Sequence, residues 1–99
     1  MASDPLEALR HRFRTRCSAD LDALRVVLAQ PARPPDSTFA TAVHRLSGMA
    51  GSFGYRELSR LAAIVDDELV QGHALTFANL HQLESELQTV ALPAAPEAD

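Results

Sequence analysis

Ser37-Thr38-Phe39-Ala40-Thr41-Ala42-Val43-His44-Arg45-Leu46-Ser47-Gly48-Met49-Ala50-Gly51-Ser52-Phe53 is the stretch that decides the fold of this chain. On a helical wheel at about 100° per residue, Phe39, Ala42, Val43, Leu46, Met49, Ala50 and Phe53 gather on one side. That spacing predicts a helix with this side buried. The opposite side carries Ser37, Ala40, Thr41, His44, Ser47, Gly48, Gly51 and Ser52. A solvated helix face is ordinarily covered by long polar side chains. Here one imidazole stands among very short ones. Two interior glycines cost a helix about 2 kcal/mol relative to alanine, a sizeable share of a small domain's stability. The compensation expected is access: with so little bulk beside His44, the surface of another protein can close onto the ring.

Outward from this helix, the same period continues. Towards the N-terminus, Gln30-Pro31-Ala32-Arg33-Pro34-Pro35-Asp36 is a connector that no helix can cross. Before it, Leu6, Leu9, Phe13, Cys17, Leu21, Leu24 and Leu28 recur at steps of three and four. They predict a helix opened by Asp4 as cap, with Pro5 in its first turn and Glu7 three residues after the cap. A break near Ser18 would make two helices of it. Towards the C-terminus, Leu58, Leu61, Ala62, Val65 and Leu69 predict a third helix over about 55–70, closed by Gln71-Gly72-His73. Leu80, Leu83, Leu87 and Val90 predict a fourth over about 75–90. Nothing alternates long enough to read as a strand. The expected fold is all-α, an antiparallel four-helix bundle with its first helix whole or broken in two. One domain spans 1–91, and 92–99 forms a tail without regular structure.

With 99 residues there is room for one core, and 46% hydrophobic with 22% charged residues is ordinary globular composition. No apolar run approaches the roughly 20 residues of a membrane span. Thirteen acids against nine bases, all arginine, give a net charge of −4, which argues against nucleic acid as the main partner. Cys17 has no second cysteine to pair with, and Met1-Ala2-Ser3-Asp4-Pro5 has no signal-like pattern. A cytoplasmic setting is therefore expected. A monomer is the expected state, each helix having one apolar face.

His44-Arg45-Leu46-Ser47-Gly48-Met49-Ala50-Gly51-Ser52-Phe53-Gly54 resembles the signature of histidine-containing phosphotransfer (HPt) domains. These include the phosphotransfer domain of chemotaxis histidine kinases, with the pattern His-x-Leu/Ile-Lys-Gly-x-Ala-Gly-x-Phe/Leu-Gly. His44, Leu46, Gly48, Ala50, Gly51, Phe53 and Gly54 match it, and helix order agrees from about residue 5 to 90. The resemblance implies a phosphorelay protein. His44 would take a phosphoryl group from a receiver-domain phosphoaspartate or a kinase and pass it to a receiver aspartate. It implies a phosphocarrier, not an enzyme, with no cofactor of its own: Mg²⁺ and the acidic pocket belong to the receiver. The partners implied are a response-regulator receiver domain and a histidine kinase of the hybrid kind. A rival class is a helical module that docks on receivers or kinases without carrying phosphate.

The family usually has lysine three residues after the histidine; Ser47 stands there and brings no charge. Slower transfer or a shorter-lived phosphohistidine is the expected consequence. Arg45 points about 100° around the helix from His44 and is an imperfect substitute. In several relatives a Glu or Gln 22 residues after the histidine hydrogen-bonds its Nδ1; the matching residue is Asp66. Its shorter side chain would reach His44 directly or through a water, or it is simply a solvated charge beside Asp67 and Glu68. Ala40, Thr41, Arg56 and Arg60 are candidates for partner contact, the two arginines being expected near the level of His44. Arg10, Arg12, Arg14 and Arg16 spread around the first helix and read as a solvated surface more readily than as a docking patch. Phe13, Phe39, Phe53 and Phe77 are expected in the core. Gly54 reads as a helix C-cap. His11, His73 and His81 show no ligand spacing that would make a metal site.

Overall fold

Asp4 accepts a hydrogen bond from the Leu6 N–H at 3.1 Å, and Asp36 accepts one from the Phe39 N–H at 3.0 Å. Each aspartate satisfies an amide that a helix start leaves without a partner. These caps open the first two of four helices: α1 Pro5–Ala29, α2 Ser37–Ser52, α3 Arg56–Gln71 and α4 Phe77–Val90. The structure, a computed structural model, describes residues 4–92, and they contain no strand. Glycine ends two of the helices. Gly54 (φ +86°) and Gly72 (φ +71°) take left-handed backbone that other residues rarely adopt. The amides of Tyr55 and His73 then reach back to the carbonyls of Ala50 and Glu68 at 2.8 and 2.9 Å.

Each helix packs on its two neighbours around the bundle, α1 on α2 and α4, α3 on α2 and α4. Pairings run in opposite directions. Arg14 Nε donates to the Val90 carbonyl at 2.8 Å, whereas Arg25 Nε donates to Glu84 at 3.1 Å. The bundle is therefore antiparallel, as the short connectors require. Its core contains Phe13, Cys17 and Leu24 of α1, Phe39, Val43, Leu46 and Ala50 of α2, Leu58 and Val65 of α3, and Leu83 and Leu87 of α4. No buried polar side chain interrupts it among the described residues. Burial pushes the Cys17 thiol up to about 12, with help from the nearby Asp20 charge and against Arg14. The thiol packs as a small hydrophobe.

Several expectations are corrected. α1 runs unbroken through Ser18, because Cys17 and Leu21 on either side are both buried in the same stripe. Leu6 and Leu9 head that stripe yet are 56% and 47% exposed. With 25 residues against 14 to 16 in the others, α1 extends past the described end of α4 by its first turns. Met49 is also exposed, at the rim of the apolar arc of α2. Phe77 is not a core residue: it is exposed and stacks on His81 at a centroid separation of 5.8 Å. Phe53 is half-buried against Phe13, 5.3 Å between centroids. α4 begins at Phe77, after Leu75, because Thr76 is held outside the helix by Glu68, whose Oε2 accepts from its hydroxyl at 2.6 Å. Leu92, assigned to the tail, donates its N–H to the Arg14 carbonyl at 3.0 Å; tail residues 93–99 lie outside the described residues.

Candidate functional site

The outer face of α2 is as smooth as its sequence. His44 projects from the middle of it with 77% of its side chain exposed. A methyl group built on Gly48, one turn away, would meet nothing within 4 Å. The serine hydroxyls lie flat: Ser47 Oγ donates to the His44 carbonyl at 2.8 Å, and Ser52 Oγ to the Gly48 carbonyl at 3.2 Å. Such bonds back to the helix backbone keep short polar side chains from standing into solvent.

One group touches the ring. Asp66 Oδ2 of α3 lies 3.1 Å from His44 Nδ1, with no water required between them, and its side chain is only 20% exposed. A carboxylate accepts hydrogen bonds, so in this contact Nδ1 carries the proton. In the neutral ring Nε2 then keeps its lone pair, on the side that faces solvent.

No described arginine contact reaches the imidazole. Arg45 Nη2 donates to Asp20 of α1 at 3.3 Å, on the flank away from α3. Burial pushes the Asp20 carboxyl above the usual aspartate range, against the pull of Arg45 and Arg16. Arg60 chelates Glu57 on its own helix, Nη2 donating to Oε2 at 3.2 Å; the pairing raises the Arg60 pKa and lowers that of Glu57. Arg56 is exposed. Neither stands level with His44. Asp66 marks that level on α3, and at 1.5 Å per residue Arg60 and Arg56 lie about 9 and 15 Å further along the helix, towards the α2–α3 turn. Thr41 is exposed and Ala40 half-buried.

Gly51 departs from the expectation of simple clearance for a partner. A methyl group there would lie 3.2 Å from Ser59 Oγ of α3, so this glycine also serves helix packing. Ser59 was not among the residues singled out from sequence. Its one visible signal is spacing, seven residues before Asp66, as Gly51 is seven after His44. Among the described residues no group of three or more His, Cys, Asp or Glu side chains could hold a metal ion. His81 does have an i+3 neighbour, Glu84, 3.4 Å from its Nδ1, which the spacing argument passed over; two groups alone do not make a site. No described helix is long and apolar enough to cross a membrane.

The bundle thus holds the His44 imidazole in solvent, with Nδ1 against the Asp66 carboxylate. The chain belongs to the Hpt domain family, whose model matches residues 8–93. Members of this family act in histidine phosphotransfer within phosphorelays, as phosphocarriers that meet receiver domains and kinases. A search of curated proteins gave no match, and a search of solved structures gave none.

Proposed function

We propose that this chain carries a phosphoryl group on Nε2 of His44, between a receiver-domain phosphoaspartate or a hybrid histidine kinase and a receiver aspartate. The observation that supports this best is the pairing of an exposed imidazole with Asp66 at Nδ1. Nε2 attacks the phosphorus, an N–P bond forms, and the P–O bond to the donor aspartate breaks, with its electron pair leaving on that carboxylate. The ring becomes positively charged as the bond forms. Asp66, already against Nδ1–H, stabilises that charge and fixes which nitrogen reacts. Attack by a receiver aspartate reverses each step. Mg²⁺ and the acidic pocket come from the receiver, so this chain's own contribution is orientation and room.

The receiver sits over Thr41, His44 and Gly48, where a flat strip lets it approach. Beyond that strip, Leu9, Leu46 and Met49 line an open groove between α1 and α2, with Arg12 and Arg45 at its rim. Arg45 is paired with Asp20 there, and Arg12 and Arg16 supply the positive charge that suits an acidic partner in a chain whose net charge is −4.

Incubation with a phosphorylated receiver tests the proposal. The expected result is acid-labile, alkali-stable label on the chain that disappears in His44→Gln while the fold is kept. A stable complex with no label would instead make the chain a docking module that carries no phosphate.

A further inference from the structure

Among the described residues two side-chain hydrogen bonds cross the α2–α3 seam: one joins His44 and Asp66, and the second holds the backbone. Ser59 Oγ of α3 donates to the Ser47 carbonyl of α2 at 2.7 Å. The same hydroxyl is the nearest atom to a methyl group built on Gly51, at 3.2 Å, with the Ser59 Cβ at 3.8 Å. Ser59 thus sits over Gly51 on one side and grips the carbonyl one turn before it. In register, His44 meets Asp66 and Gly51 meets Ser59. Each helix advances seven residues between the two points, about 10 Å and close to two full turns, so both contacts lie on one line of the seam.

We infer that Ser59, seated on Gly51, is a positioning residue for His44: it holds α2 against α3 so that the short Asp66 side chain reaches Nδ1. A hydroxyl one carbon from its backbone can bond a carbonyl on a neighbouring helix only when the two backbones are close. Aspartate imposes the same demand two turns away, because it is one methylene shorter than glutamate. Gly51 permits the approach, since any side chain there would push on Ser59. Ser47 contributes its backbone carbonyl to the latch, while its hydroxyl is turned onto the His44 carbonyl. The inference rests on His44 being the phosphoacceptor only for its consequence in rate. The geometry it asserts at Nδ1 is measurable without phosphate.

The test is Ser59→Ala in the full chain, with two readouts. Imidazole ¹⁵N shifts report which ring nitrogen holds the proton, and labelling by a small phosphoramidate donor reports the reactivity of Nε2 with no partner protein present. Loss of the Ser59 bond should lower the Nδ1–H population of His44 and slow labelling by about fivefold, a loss of orientation and not of chemistry. Adding Asp66→Glu to Ser59→Ala should restore both readouts, because the longer side chain spans a loosened seam. A merely structural role for Ser59 would lower the thermal midpoint but leave the tautomer alone. An unchanged tautomer in Ser59→Ala, or no recovery in the folded double variant, overturns the inference. If the wild-type chain takes no label while the tautomer responds as described, the inference stands and the phosphocarrier reading falls.

Discussion

The two flanks of α2 are built from different materials. Towards α3 the helix presents His44, Ser47 and Gly51, and α3 answers with Asp66 and Ser59, through one side-chain pair and one side chain on backbone. Towards α1 it presents Arg45 and Phe53, answered by Asp20 and Phe13 through an ion pair and an aromatic contact. The α3 flank, with its small side chains at Ser47 and Gly51, gains a fixed direction for one ring. The α1 flank spends its long side chains on Phe13 and Asp20 and leaves the nearest arginine turned away from that ring. Positioning and stabilising are thus separated around the circumference of a single helix.

Substitutions on opposite sides should therefore fail in different measurements. The largest effect on stability is expected from Leu46→Ala, since Leu46 is 2% exposed in the core; about 2–5 kcal/mol should be lost in denaturant unfolding, with the His44 tautomer unchanged below the transition. A shift in that tautomer would show that the core, and not the α3 flank, aims the ring. Next comes Gly48→Ala. Its methyl group meets nothing, so the helix should gain about 1 kcal/mol in thermal unfolding. Labelling by phosphoramidate should be unaffected, while transfer from a receiver slows. Gly51→Ala should gain less stability than Gly48→Ala, because its methyl group presses on Ser59. The smallest effect expected is from Ser47→Lys. It places a cation beside the phosphoryl group and should raise the labelling rate or the phosphohistidine lifetime by about threefold, or roughly 0.6 kcal/mol. If both stay at wild-type values, charge at this position does not limit the reaction.

How much of this was legible in the sequence follows the same division. The smooth face around His44 could be read directly, because a helical wheel reports which side chains share a side and how large they are. The four helices, the Asp4 cap of α1 and the glycine stops after α2 and α3 follow from periodicity and local backbone chemistry. What a wheel cannot report is the neighbour. Leu6 and Leu9 continue the stripe of α1 faithfully, yet both are exposed, beyond the level of Arg14 where α4 ends. Phe77 and Met49 sit where an apolar arc meets solvent, and only the width of the adjoining helix decides which side of that edge each falls on. Arg45 was ambiguous until Asp20, 25 residues away, took its guanidinium. Ser59 was hard to see for a related reason: a hydroxyl bonded to a distant backbone carbonyl leaves in its own helix only the seven-residue spacing to Asp66.

The meeting of Arg14 with both Val90 and Leu92 places the end of α4 beside the early turns of α1. Phe13 also stacks on Tyr55, 5.7 Å between ring centres, so the α2–α3 turn shares that pole of the molecule. The proline-rich connector lies at the other pole, away from Asp4 and Leu92, which makes it the place for a reporter dye meant to watch a receiver arrive.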